Sequence, residues 1–283
     1  MYSANMKQES ILITGASSGI GRGIALALAR PGRRLHLGGR NHANLRDVAA
    51  RCIARGADAR IRVQDVRERA GMDDWITGTG TLDLVFACAG ITASTRGGEE
   101  APYEPDDQIR RMFATNVDGV INTVLPALQV MRAQQRGSDG VRGRICAMSS
   151  VAGLVSFPGT PSYCASKAAV DRFMVATGGN MARTGILLSS VCCGFVATPM
   201  TAGNTFPMPG LTQTGDAVRA IISGVAEGRR RIFFPWWLAA GSRFMDLLPI
   251  RIAESYYFRQ AAGQAGTMPE TGLTPEDGTA PSA

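Results

Sequence analysis

Tyr163 and Lys167 stand four residues apart in the stretch Ser162-Tyr-Cys-Ala-Ser-Lys-Ala-Ala169. On a helix, that spacing stacks a phenol and an ammonium one turn apart on one face. Such a pair can handle a proton, because a nearby cation favours the phenolate and makes the phenolic hydrogen easier to give up. Of the 30 Lys and Arg residues, only Lys7 and Lys167 are lysines. A chain that otherwise uses arginine for its positive charge places a compact, tunable ammonium here. Ser150 precedes Tyr163 by 13 residues and adds a hydroxyl that can hold a carbonyl oxygen in place. The plainer alternative for the pair is a core aromatic beside a solvated lysine.

These side chains need a scaffold. The run Ala165 to Val170 is a good helix context, and Ser162 is placed to cap its start. Gly143-Arg-Ile-Cys-Ala-Met-Ser-Ser150 reads as a buried strand, which would put Ser150 at a strand end. A second strand-to-helix junction lies near the beginning of the chain. Ile11-Leu-Ile13 is a short apolar strand, followed by Thr14-Gly-Ala-Ser-Ser-Gly-Ile-Gly21 and a helix to about Ala29. Glycines let backbone amides approach a diphosphate, and the helix start supplies partial positive charge. Gly15, Ser17, Ser18, Gly19, Ile20 and Gly21 are therefore candidate dinucleotide contacts. The spacing is G-x-x-x-G-x-G, and no lysine follows the glycines, which argues against a nucleoside triphosphate loop.

Strand and helix signals then alternate without a break in composition. Arg34 to Gly39 is the second strand, Leu45 to Ala54 a helix, Ala59 to Gln64 a third strand and Leu82 to Gly90 a fourth. A long helix is predicted over Gln108 to Gln135, with Pro126 expected to kink it and Asn116 available for a bend. Beyond Gly185 come a strand at Ile186 to Cys192, a lid-like stretch from Met200 to Thr214, a helix from Asp216 to Glu227 and a last strand at Arg231 to Pro235. The pattern predicts an α/β fold: one doubly wound, parallel, seven-stranded sheet over residues 8–235. Residues 236–259 read as a helical extension and 260–283 as a disordered tail.

In such a sheet, ligands sit at the carboxyl ends of the strands. Arg40 and Asn41 follow the second strand there. An acid at that point would take a ribose 2′-hydroxyl, whereas Gly39-Arg40 suits a 2′-phosphate, so NADP(H) is expected over NAD(H). Asp65 and Val66 with Ala89 and Gly90 could flank an adenine ring, and Val196 and Thr198 lie past the sixth strand.

Composition narrows the classes. The 283 residues carry a formal charge of +7 and 45% hydrophobic residues, ordinary for a globular domain. The arginines are scattered and no nucleic-acid module is apparent. The six cysteines lack metal-ligand spacing and suit reduced, buried thiols, a vicinal Cys192–Cys193 disulfide being the alternative. No metal site is expected. The polar N-terminus carries no signal segment, so a cytoplasmic location is expected. Residues 232–258 are apolar but interrupted by Arg243 and Asp246. They suit either packing over the site or a partner subunit, or peripheral contact with the inner face of a membrane.

Together, Thr14-Gly-x-x-x-Gly-x-Gly21, Asn116, Ser150, Tyr163-x-x-x-Lys167 and Gly194-x-Val196-x-Thr198 resemble the short-chain dehydrogenase/reductase family in its compact form. The resemblance implies hydride transfer between a nicotinamide and a carbonyl or secondary alcohol on a small, lipophilic or sugar-derived substrate. Tyr163 would be the proton donor, Lys167 would also bond the nicotinamide ribose, Ser150 would hold the substrate oxygen, and Asn116 would support a proton relay. A homodimer or homotetramer is implied as well. Two departures stand out: Ala87-Cys-Ala-Gly90 where the family often has Asn-Asn-Ala-Gly, and Cys193-Gly194 where it often has Pro-Gly. Lowering a phenol from about 10 to neutrality asks for about 4 kcal/mol, and Lys167 together with the positive oxidised nicotinamide has the right sign to contribute it. The alternative function is a non-catalytic nucleotide-binding scaffold or sensor.

Overall fold

The computed structural model describes residues 9–92, 103–204 and 206–264. Seven strands form one sheet: β1 (Glu9–Thr14), β2 (Arg33–Gly39), β3 (Asp58–Val63), β4 (Leu84–Ala87), β5 (Gly143–Met148), β6 (Ile186–Cys193) and β7 (Arg231–Phe234). Their order is β3-β2-β1-β4-β5-β6-β7, and every neighbouring pair is parallel. The order reverses direction between β1 and β4, which opens a crevice at their carboxyl ends.

The period of two in β1 assigns its side chains to opposite faces. Ile11 and Ile13 join one apolar core, with α1 (Gly19–Leu28), α2 (His42–Ile53) and α7 (Thr214–Ala226) above them. Leu12 points the other way, into a second core. That layer holds α3 (Arg69–Thr77), α5 (Gly119–Ala133) and α6 (Pro161–Met181). α4 (Asp106–Phe113) packs beside α6 and runs on toward α5.

Four local differences from the sequence reading have physical reasons. Helix α3 was not anticipated: only Met72 and Ile76 are buried on it, so its apolar stripe is too narrow to stand out among charges. The predicted long helix starts at Asp106 and is interrupted at Ala114–Asp118, a wider π-helical turn carrying Asn116. Pro126 does not break α5; its ring is buried in the second core. Ser162 does not cap α6. Thr160 holds the cap position, Pro161 begins the helix, and Ser162 lies inside its first turn.

Two helices follow β7. α8 (Trp236–Asp246) packs its inner side on the 3₁₀ turn Val151–Leu154 that follows Ser150. Its outer side shows Trp236, Phe244 and Leu247, 75%, 62% and 83% exposed. α9 (Ile250–Gln264) extends five residues into the segment read as a disordered tail. The rest of that tail, and most of the polar loop expected between Ile91 and Asp107, lie outside the described residues. Among the described residues, no helix is long and apolar enough to cross a membrane, and no cluster of potential metal ligands occurs.

Candidate active site

The turn after β1 is built by what glycine permits. Gly15 sits at φ 66°, in the left-handed region. A Cβ there would lie 2.8 Å from the backbone nitrogen of Ala89, and one at Gly21 would lie 2.3 Å from the carbonyl oxygen of Gly15. Ser18 precedes α1 in extended conformation and gives it no side-chain cap, and the first turn contains no acid. The amides at the start of α1 are left facing a cavity with the helix's positive end behind them. A negatively charged group fits there; a side chain does not.

The cavity encloses about 240 Å³. Gly15, Ser17, Ser18, Gly19, Ile20 and Gly21 form one end of it, Arg40, Asp65 and Val66 flank it, and Ala89, Gly90, Tyr163, Lys167 and Thr198 complete the wall. Arg40 is exposed and makes no ion pair with any described residue. A Cβ added at Gly39 would already stand 3.3 Å from the Ser17 hydroxyl, so an acid has little room there. Asp65 instead binds Arg67 at 2.7 Å, and that bond holds its carboxyl below the usual range.

Two predicted cofactor contacts are not on this wall. Asn41 caps α2 by accepting the Asn44 N–H at 2.9 Å. Val196 is buried and pairs with Thr212 in an isolated bridge. Conversely, Cys88, Thr115, Met148, Cys193 and Met200 line the cavity without having been singled out. Cys88 and Cys193 had been noted as departures from a family pattern, Cys193 also in the vicinal-disulfide alternative, and Met200 as the start of a lid-like stretch, none of them as a cofactor contact. Thr115 and Met148 carry no signature of their own. Only their places, one residue from Asn116 and two from Ser150, could have pointed to them. All six cysteines are free thiols, so the vicinal disulfide is absent.

At the other end, three elements bring the reactive groups together. Ser150 follows β5 and caps the 3₁₀ turn, accepting the Ala152 N–H at 3.1 Å and donating to the Cys193 carbonyl at 3.3 Å. It does not itself line the cavity, but its hydroxyl lies near enough to Tyr163 to favour the ionised phenol. Lys167, one turn along α6, is 5% exposed. Its Nζ donates to the Met148 carbonyl at 2.9 Å and lies 5.6 Å from the centre of the Tyr163 ring. Asn116 is fully buried: it accepts the Ile91 N–H at 2.9 Å and donates to the Ile91 carbonyl and the Ser166 hydroxyl at 3.0 and 3.1 Å.

The electrostatics correct one expectation. Lys167 does not draw the Tyr163 phenol toward neutrality in the protein alone. Burial pushes the phenol well above its ordinary value, and the Ser150 hydroxyl opposes this only in part. Burial likewise brings Lys167 down to about 8, so its ammonium persists at neutral pH. The resting site therefore holds a protonated phenol beside a cation.

The short chain dehydrogenase family model matches residues 9–206. An uncharacterized oxidoreductase of Myxococcus xanthus is 35% identical over 250 residues, covering 87% of this chain and 95% of its own. The 3-oxoacyl-[acyl-carrier-protein] reductase FabG of Staphylococcus aureus is 33% identical over 201 residues, or 68% of this chain and 76% of that one. A crystal structure of a short-chain type dehydrogenase/reductase from Mycobacterium marinum superposes with a TM-score of 0.68 at 25% identity, covering 81% of this chain and 94% of that chain. With the parallel sheet, the glycine turn and the phenol–ammonium pair all in place, the chain belongs to the short-chain dehydrogenase/reductase family and is an NAD(P)-dependent oxidoreductase.

Proposed function

We propose that this enzyme uses NADP(H) to interconvert a carbonyl and a secondary alcohol, and that its substrate is lipophilic. The observation that carries the reading is the meeting of Ser150, Tyr163 and Lys167 at one end of a cavity whose other end is the bare start of α1. The diphosphate belongs on residues 15 to 21 and the 2′-phosphate on Arg40, which is exposed on the cavity wall and stands next to Gly39. When bound, the nicotinamide supplies or accepts the hydride.

The protein's own groups do the rest. Ser150 donates a hydrogen bond to the substrate oxygen and holds it beside Tyr163. Tyr163, kept protonated by burial, gives its proton to that oxygen during reduction. Lys167 stabilises the resulting phenolate by its charge one turn away. The relative named as a 3-oxoacyl reductase supports a carbonyl as the oxidised substrate.

The lipophilic preference is supported by the surroundings. The aromatic pair Phe157–Tyr257 packs edge to face at 5.7 Å between the loop after Ser150 and α9. Phe195 and Phe206 pair at 5.9 Å past β6, and Met200 lines the cavity.

Tyr163→Phe tests the assignment. Loss of a positioned general acid should cost about 10²-fold or more in NADPH consumption over a panel of aliphatic and aromatic ketones. NADPH affinity by fluorescence titration should stay within about twofold. Turnover close to wild type would contradict the role.

A further inference from the structure

Glu104 lies 58 residues before Ser162 in sequence and is only 1% exposed, so something must hold its carboxylate. One oxygen accepts the Ser162 N–H at 2.8 Å; the other accepts from the Gln108 side chain at 3.2 Å. Ser162 is the first residue of α6 with an amide hydrogen to give, since Pro161 before it has none. Thr160, at the cap position, makes no side-chain cap bond, and the buried Ser162 hydroxyl has no partner among the described residues. The first turn of α6 is thus capped from outside the helix, by a charged acceptor on the segment leading into α4.

The same segment touches α6 a second time. After α4 comes the π-helical turn, where Asn116 donates to the Ser166 hydroxyl at 3.1 Å. The two braces land on equivalent places: Ser162 immediately precedes Tyr163, and Ser166 immediately precedes Lys167. One polar bond therefore fixes the backbone N–H just before the phenol, and the other holds the Ser166 hydroxyl, which itself donates to the Tyr163 carbonyl at 2.8 Å.

We propose that Glu104 is a positioning residue, which pins the first turn of α6 so that the Tyr163 hydroxyl stays in register with Ser150 and the substrate oxygen. This rests on the reading of Tyr163 as the proton donor. Glu104 touches no reacting atom and acts through the Ser162 amide. Its removal should lower the chemical step and leave cofactor binding alone. The Gln side chain reaches as far and keeps an acceptor, whereas the Asp side chain keeps the charge but falls a methylene short.

The test compares Glu104→Ala, Glu104→Asp and Glu104→Gln with wild type and Tyr163→Phe. Two readouts are taken: kcat and KM for reduction of phenanthrenequinone by NADPH, and amide hydrogen exchange over residues 160–168. The proposal expects kcat to fall about tenfold or more in the Ala and Asp variants, with NADPH affinity within twofold and exchange faster in the first turn of α6. The Gln variant should keep kcat within about threefold and exchange near wild type. Should the Ala variant fail to fold, the Asp and Gln pair still decides. Unchanged exchange in the Asp variant overturns the proposal whatever the activity, and so does equal loss of kcat in the Gln and Asp variants. If Tyr163→Phe abolishes turnover while all three Glu104 variants keep it, Glu104 has no positioning role and the reading of Tyr163 stands. If Tyr163→Phe turns over like wild type, that reading fails first, and the proposal fails with it.

Discussion

Arg40 is the residue on which the proposed preference for NADP(H) rests. It stands exposed on the cavity wall, where its charge acts on Asp65, whose closer partner is Arg67. A hydrogen bond to a charged group contributes about 1.5–3 kcal/mol, so Arg40→Ala should weaken NADPH binding about tenfold or more. NADH, lacking the 2′-phosphate, should bind the variant as well as it binds wild type. Fluorescence titration of both cofactors checks this; equal losses for the two, or none, would contradict the assignment. Tyr163 shows why residue types alone mislead about electrostatics. Its spacing from Lys167 was readable in the sequence, and the expected sign of that cation's effect was physically sound. The larger force is burial, which depends on residues from several strand ends, Cys88, Met148 and Cys193 among them, meeting the pair on one cavity wall, and no local motif displays that.

Elements explain the other gains and misses. The glycine turn was legible because only glycine tolerates the 2.3 Å and 2.8 Å approaches found there. Helix α3 and the Glu104 brace were not legible. The first has too narrow an apolar stripe, and the second joins residues whose partnership exists only once α4 lies beside α6. Strand β2 carries a testable property of its own. Its His36 is buried on one face of the sheet, two residues from Arg34 on the same strand and opposite Arg60 on β3, and it lies 3.3 Å from the Ser10 hydroxyl. Burial first, then the two arginines, bring its pKa down to about 4 from 6.5. Between those values the unfolded chain binds a proton that the folded chain refuses, so stability rises with pH across the window and is lost as pH falls from 6.5 toward 4. The loss attributable to His36 by pH 4.5 is about 2–3 kcal/mol. Urea unfolding of wild type and His36→Leu at pH 7 and 4.5 should show the wild type losing that much more. Parallel losses would show that His36 carries no such linkage.

At the scale of the whole molecule, the sheet order puts every functional segment at one rim. β1, β4, β5 and β6 end respectively at the glycine turn, at Cys88 to Gly90, at Ser150 and at Cys193, and the crevice between β1 and β4 joins them. α8 and α9 pack beside the segment that follows Ser150, through α8 on Val151–Leu154 and Tyr257 on Phe157. A structure of the protein crystallised with NADPH tests this arrangement most directly. It should show the diphosphate on the amides of residues 15 to 21, the 2′-phosphate against Arg40, and the nicotinamide in the part of the cavity walled by Tyr163, Lys167 and Cys193. A nucleotide bound elsewhere, or reversed so that its nicotinamide lies by Arg40, would contradict it.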